Sequence, residues 1–93
     1  TATAASPYTV LTTDRTVLIS GTDTAAKSVV LPNPATVGEG FDVIVKDVVT
    51  AAANNITVTT AAGLIDGGAN AVISTNKGKL TFQSDGTNWH IIA

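Results

Sequence analysis

The feature that most constrains this chain is a two-residue alternation of apolar and polar side chains, confined to short runs. Leu80 and Phe82 alternate with Thr81 and Gln83, and Ile56 and Val58 with Thr57 and Thr59. Phe41, Val43 and Val45 alternate with Asp42, Ile44 and Lys46, and Trp89 and Ile91 with Asn88, His90 and Ile92. Successive side chains of a strand point to opposite faces, so this pattern lays one face of a sheet on a core. No stretch carries the apolar repeat of a long amphipathic helix.

The runs are rich in Val, Ile and Thr, and turn residues separate them. Strands are expected near 8–12, 16–20, 27–31, 41–46, 55–60, 71–75, 79–83 and 88–92. Leu31-Pro32-Asn33-Pro34 ends a strand, because proline cannot donate to an interior ladder. Asp66-Gly67-Gly68 turns the chain back, and Asp85-Gly86-Thr87-Asn88 carries the Asp-Gly signal of a tight hairpin. In Thr75-Asn76-Lys77-Gly78-Lys79 the glycine is expected to take the positive φ, making the C-terminal third a three-strand meander. Thr50-Ala51-Ala52-Ala53-Asn54 is a loop or a single helical turn, too short to stand as a helix. The expected fold is all-β, a compact antiparallel β-sandwich or barrel of jelly-roll type with about eight short strands. Residues 1–6 read as a flexible N-terminal arm and 7–93 as a single β domain.

Size then bears on assembly. A domain of 93 residues buries a modest share of its surface. Disulfides, metals and oligomerisation are the usual supplements. The chain has no cysteine, and its one histidine, His90, is a poor start for a zinc site. Oligomerisation is left. Charged residues make up 13% of the chain, about half the common share. Thr, Ser, Asn and Gly must therefore coat much of the surface, or subunit contacts must hide it. Outward positions that stay apolar, Leu18, Ile44 and Ile92, are expected to meet a second sheet or a neighbouring subunit.

Charge and hydropathy limit the partners. A net charge of −2 with five scattered basic residues provides no stripe for nucleic acid. No apolar run is long enough to cross a bilayer. Thr1-Ala2-Thr3-Ala4-Ala5-Ser6 lacks the basic region and apolar core of a secretory signal.

The search for chemistry returns structural readings. His90, the one imidazole, falls at a sheet edge, and no nucleophile-elbow motif accompanies it. Asp42 and Asp47 fall on opposite faces of one strand, unlike a glycosidase pair. Asp66 and Asp85 sit beside glycine in turns, where Asp bonds its own backbone. No loop has the ligand density of a calcium site. Gly38-Glu39-Gly40 lacks the rest of a dinucleotide fingerprint and reads as a turn into the Phe41 strand. Tyr8 and Trp89 are the aromatic residues best suited to stack on a sugar, although a lone Trp in a β domain is more often core. The chain is therefore expected not to be an enzyme and to need no cofactor or metal.

The order of phrases is more specific than any one of them. It runs Tyr8-Thr9-Val10-Leu11, Val17-Leu18-Ile19, Val29-Val30-Leu31-Pro32, Gly38-Glu39-Gly40-Phe41-Asp42-Val43-Ile44-Val45-Lys46-Asp47 and Asn55-Ile56-Thr57-Val58. Leu64-Ile65-Asp66-Gly67 and Ser84-Asp85-Gly86-Thr87-Asn88-Trp89 complete it. This order resembles small β-rich modules of tailed-phage virions, found in capsid decoration (cement) proteins and in tail fibres. The resemblance implies a homotrimer without catalytic residues. Its nearly chain-long extent favours a decoration protein, assembled in the host cytoplasm, that binds the major capsid protein and stabilises the head shell. The alternative is a tail-fibre or receptor-binding module contacting host-surface glycan. Under the first expectation Thr1, Ala2 and Thr3 of the arm, with Leu18, Ile44 and Ile92, contact the shell or a neighbouring subunit. Under the second, Tyr8 and Trp89 touch glycan.

Overall fold

The computed structural model describes residues 2–5, 7–20, 26–48 and 55–92. In chain order they form β1 (Ala2–Ala5), β2 (Tyr8–Thr9), β3 (Thr16–Ser20), β4 (Lys27–Leu31), α1 (Pro34–Val37) and β5 (Glu39–Asp47). There follow β6 (Ile56–Thr60), β7 (Ala71–Ile73), β8 (Lys79–Asp85) and β9 (Trp89–Ile91). Among the described residues, one sheet has the order β1-β3-β5-β8-β9 and the other β2-β4-β6-β7.

Strand direction departs from the antiparallel jelly roll. The first six strands alternate between the two sheets, and each pairs in parallel with the strand two places earlier. Val17 thus lies between Ala2 and Val45, and Val29 between Tyr8 and Val58. The chain crosses from layer to layer and returns one strand further along, a short stacked coil. Only the last strands are antiparallel, β7 on β6, β8 on β5 and β9 on β8. A coil of this kind gives parallel strands one buried and one outward face, so the sequence alternates as an antiparallel sandwich would. Period two reports the face of a side chain, not the direction of its neighbour.

Two local expectations change as well. Residues 2–5, read as part of a flexible arm, form β1 alongside β3; Thr1 and Ser6 lie outside the described residues. The turn after β7 leads to the other sheet, which leaves β8 and β9 as a hairpin in place of the three-strand meander. Its positive φ falls on Lys77, at 60°, and Gly78 is required for another reason. A Cβ at Gly78 would sit 2.8 Å from the Thr75 carbonyl oxygen, which accepts the Gly78 N–H at 2.9 Å. The helical turn expected at 50–54 lies outside the described residues.

Pro32 follows the last residue of β4, as anticipated, and a single helical turn that the sequence reading did not expect comes next. After β4, Asn33 caps α1 by accepting the Ala35 N–H at 2.9 Å, and Pro34 occupies the first turn, where a missing N–H costs nothing. Ile65 and Gly68 exchange both backbone hydrogen bonds around Asp66 and Gly67, with φ of 50° and 78°, the two-residue turn that suits a right-twisted hairpin.

The core lies between the sheets. Val17, Ile19, Val43, Val45, Phe82 and Trp89 enter it from the five-stranded sheet, and Val29, Leu31, Ile56, Val58 and Ile73 from the four-stranded one. Each such side chain contributes about 1.5–3 kcal/mol by leaving water. Trp89 fixes the join between layers. Its indole N–H donates to the Pro32 carbonyl at 3.1 Å, and its ring meets Phe41 edge-on at 6.2 Å.

Candidate functional site

The outward side of the five-stranded sheet gathers three of the residues singled out in the sequence. Parallel register sets Thr16 beside Ile44, and antiparallel register sets Ile44 beside Thr81. Ile92 extends this row, its N–H donating to the Thr81 carbonyl at 2.9 Å. Leu18 lies one row along, beside Lys46 and then Lys79. Leu18 and Ile44 are half-buried, whereas Ile92 is 52% exposed. Leu18, Ile44 and Ile92 therefore share one face. The backbone of Ala2 and Thr3 lies in the edge strand of the same sheet, Thr3 beside Leu18, and Thr1 is outside the described residues.

Charges surround those apolar positions. Asp42, Gln83 and His90 form the next row. The Arg15 guanidinium donates to the Asp42 carboxylate at 2.8 Å and lies 5.1 Å from the centre of the Phe41 ring. Lys46 Nζ donates to the Lys77 carbonyl at 2.5 Å. This is an apolar strip in a mixed-charge frame, the composition of an interface rim more than of a small-molecule pocket.

His90 sits between two carboxylates at the end of that face. Its Nε2 is 2.7 Å from Asp85 Oδ2 and its Nδ1 is 3.7 Å from Asp66 Oδ1. Asp85 also accepts the Asn88 and Thr87 N–H groups, and these bonds with the His90 contact pull its carboxyl down to about 2. The Asp85 hydrogen bond in turn raises His90 above its ordinary 6.5. Asp66 accepts the Ile91 N–H at 3.2 Å, so its turn is tied to β9 by side chain and by backbone. The carboxylates flank the ring on different nitrogens, so the three groups do not converge on one point. Ser84, the hydroxyl next to Asp85 in the chain, is buried on the core face and bonded to the Pro34 carbonyl and the Gly86 N–H. The arrangement ties the Asp66 and Asp85 turns to the edge strand through His90 and the Ile91 N–H.

The two candidate sugar-contacting aromatics differ in exposure. Trp89 is 0% exposed, which removes it as a glycan contact; alternation had already placed it on the face of Ile91. Tyr8 is half-buried against the core on β2, and its hydroxyl donates to Asp14. That hydrogen bond, with desolvation and the carboxylate charge, pushes the Tyr8 phenol up to about 12. Asp14 also accepts the Leu11 N–H at 2.9 Å and so fixes the turn after β2. Asp42 and Asp47 do fall on opposite faces: Asp47 is fully buried and accepts the Lys77 N–H at 3.0 Å.

Sequence reasoning passes over the outward face of the four-stranded sheet. Register aligns Thr9 with Val30 and Thr59, and Ser28 with Thr57 and Val72. The available signal was the lack of charge at alternate positions of β4 and β6. No protein-family model and no curated protein matches the chain.

Proposed function

We propose that this chain is a virion structural protein, a trimeric capsid decoration protein that binds the assembled head shell through the outward face of its five-stranded sheet. The observation that carries this reading is the alignment of Leu18, Ile44 and Ile92 on one face, framed by Arg15, Asp42, Lys46 and Lys79. An apolar strip framed by charges suits a protein surface. The likeness of its ordered strand-and-turn phrases to phage virion modules supplies the partner, the major capsid protein. A protein that binds only the assembled shell stabilises it by mass action. Symmetric copies joined to one another multiply weak contacts through effective concentration.

The direct test is co-sedimentation with emptied phage shells. Wild-type protein should saturate them, and Ile44→Asp should bind at least about tenfold more weakly, because an unpaired carboxylate is then desolvated in the contact. Equal binding by Ile44→Asp would exclude this face.

A second reading, a tail-fibre module, is favoured by the stacked coil. Its parallel strands pile along one axis, and β1 and β2 are the edge strands at one end, where a further coil can continue the stack. In that role the module contacts host glycan without Trp89.

A further inference from the structure

We infer that copies of this chain meet through the outward face of the four-stranded sheet; this rests on the self-association in the proposed function and names its surface. Among the described residues the face presents Thr9, Ser28, Val30, Thr57, Thr59 and Val72, and no charged residue. Among the described residues the four strands hold a single charge, Lys27. It is turned inward and is only 3% exposed. The usual arrangement is inverted. A sheet face left in water usually carries its charges outward.

The occupant follows from the charges on the two outward faces. Packing the five-stranded sheet on its own copy brings Lys46 and Lys79, paired in register, into a contact that desolvates both. Among the described residues the four-stranded face has no charge to desolvate, and interface centres are depleted of charge. Its Thr and Ser hydroxyls each donate and accept, so such faces turned toward a common axis satisfy one another without an acidic or basic partner. Five of its six side chains, all but Ser28, are β-branched with few rotamers to lose, which lowers the entropy cost of association. Copies of this chain gathered about a three-fold axis fit that surface, each face meeting the two others. It also leaves Leu18, Ile44 and Ile92 free for the shell.

The test uses the full chain in sedimentation-velocity runs over a concentration series, with Trp89 fluorescence as the check on folding. Thr57 is the position to change, since it lies between Ser28 and Val72 in the middle of the face. Wild type is expected to be a multimer. Thr57→Lys should weaken association at least about tenfold with native fluorescence, because it buries an unpaired ammonium. Thr57→Val and Ile44→Asp should stay associated. A Thr57→Lys multimer as tight as wild type, or dissociation by Ile44→Asp, overturns the assignment of this face. A monomeric wild type overturns the self-association reading itself. Should Thr57→Lys fail to fold, single cysteines answer the question in a chain that has none. Thr57→Cys should be linked into covalent multimers by a short bismaleimide well before Ile44→Cys, and the reverse order contradicts the inference.

Discussion

Replacing Trp89 with phenylalanine separates a core tryptophan from a ligand-stacking one. In the structure the side chain is wholly buried, donates to Pro32 and stacks edge-on against Phe41, while its backbone joins Leu64 and Asp66. Phenylalanine keeps most of the ring contact but loses the indole N–H and the pyrrole part of the ring. The lost hydrogen bond costs about 1 kcal/mol. The missing ring atoms, roughly the bulk of two or three methylenes, cost about 2 kcal/mol more. A loss near 3 kcal/mol lowers the melting temperature by roughly 12–24 °C in a domain of this size. Far-ultraviolet circular dichroism during thermal and urea unfolding measures it without relying on the deleted fluorophore. Trp89→Ala should cost more, about 3–5 kcal/mol. A Trp89→Phe melting temperature within a few degrees of wild type would refute the placement of Trp89 at the join of the two sheets.

Three further outcomes follow from other parts of the molecule. The His90 pKa is raised, so its contribution is complete below 6.5 and is lost as pH climbs through the folded value; Asp85, lowered from 3.8 to about 2, contributes above 3.8 and is lost as pH falls toward 2. Melting temperature against pH should therefore be highest between 3.8 and 6.5, and His90→Asn should remove the decline on the alkaline side. Asp14→Asn should bring the single tyrosine's titration, read by phenolate absorbance, from about 12 back toward 10.0, and an unchanged titration would contradict the Tyr8–Asp14 hydrogen bond. Gly78→Ala should destabilise by about 1–3 kcal/mol because the new methyl meets the Thr75 carbonyl oxygen at 2.8 Å, and a neutral result in urea denaturation would contradict that turn geometry.

The faces of the strands were legible in the sequence, and their partners were not. Alternation put Val43, Val45, Phe82 and Trp89 inward and Ile44, Lys46 and Thr81 outward, as the structure has them. The Asp85-Gly86 turn likewise marked the β8–β9 hairpin. Parallel pairing left no mark, because Val17 alternates with Leu18 whether its neighbour runs up or down. β1 was hidden by its composition. Alanine has little preference for a strand, and register with β3 supplies what propensity does not. The same limit governs the candidate site. Outward apolar residues were visible one at a time, but only register shows that Leu18, Ile44 and Ile92 share a face. Asp66, Asp85 and His90 come from two turns and a strand, and no spacing along the chain announces that they meet.

The central claim, a decoration protein on the head shell, is tested most directly by counting copies in purified virions. Quantitative mass spectrometry against the major capsid protein provides the ratio. The account predicts a copy number comparable to that of the major capsid protein, as a lattice over the shell requires. A handful of copies per particle would contradict it and put the module on the tail; none at all would remove it from the virion.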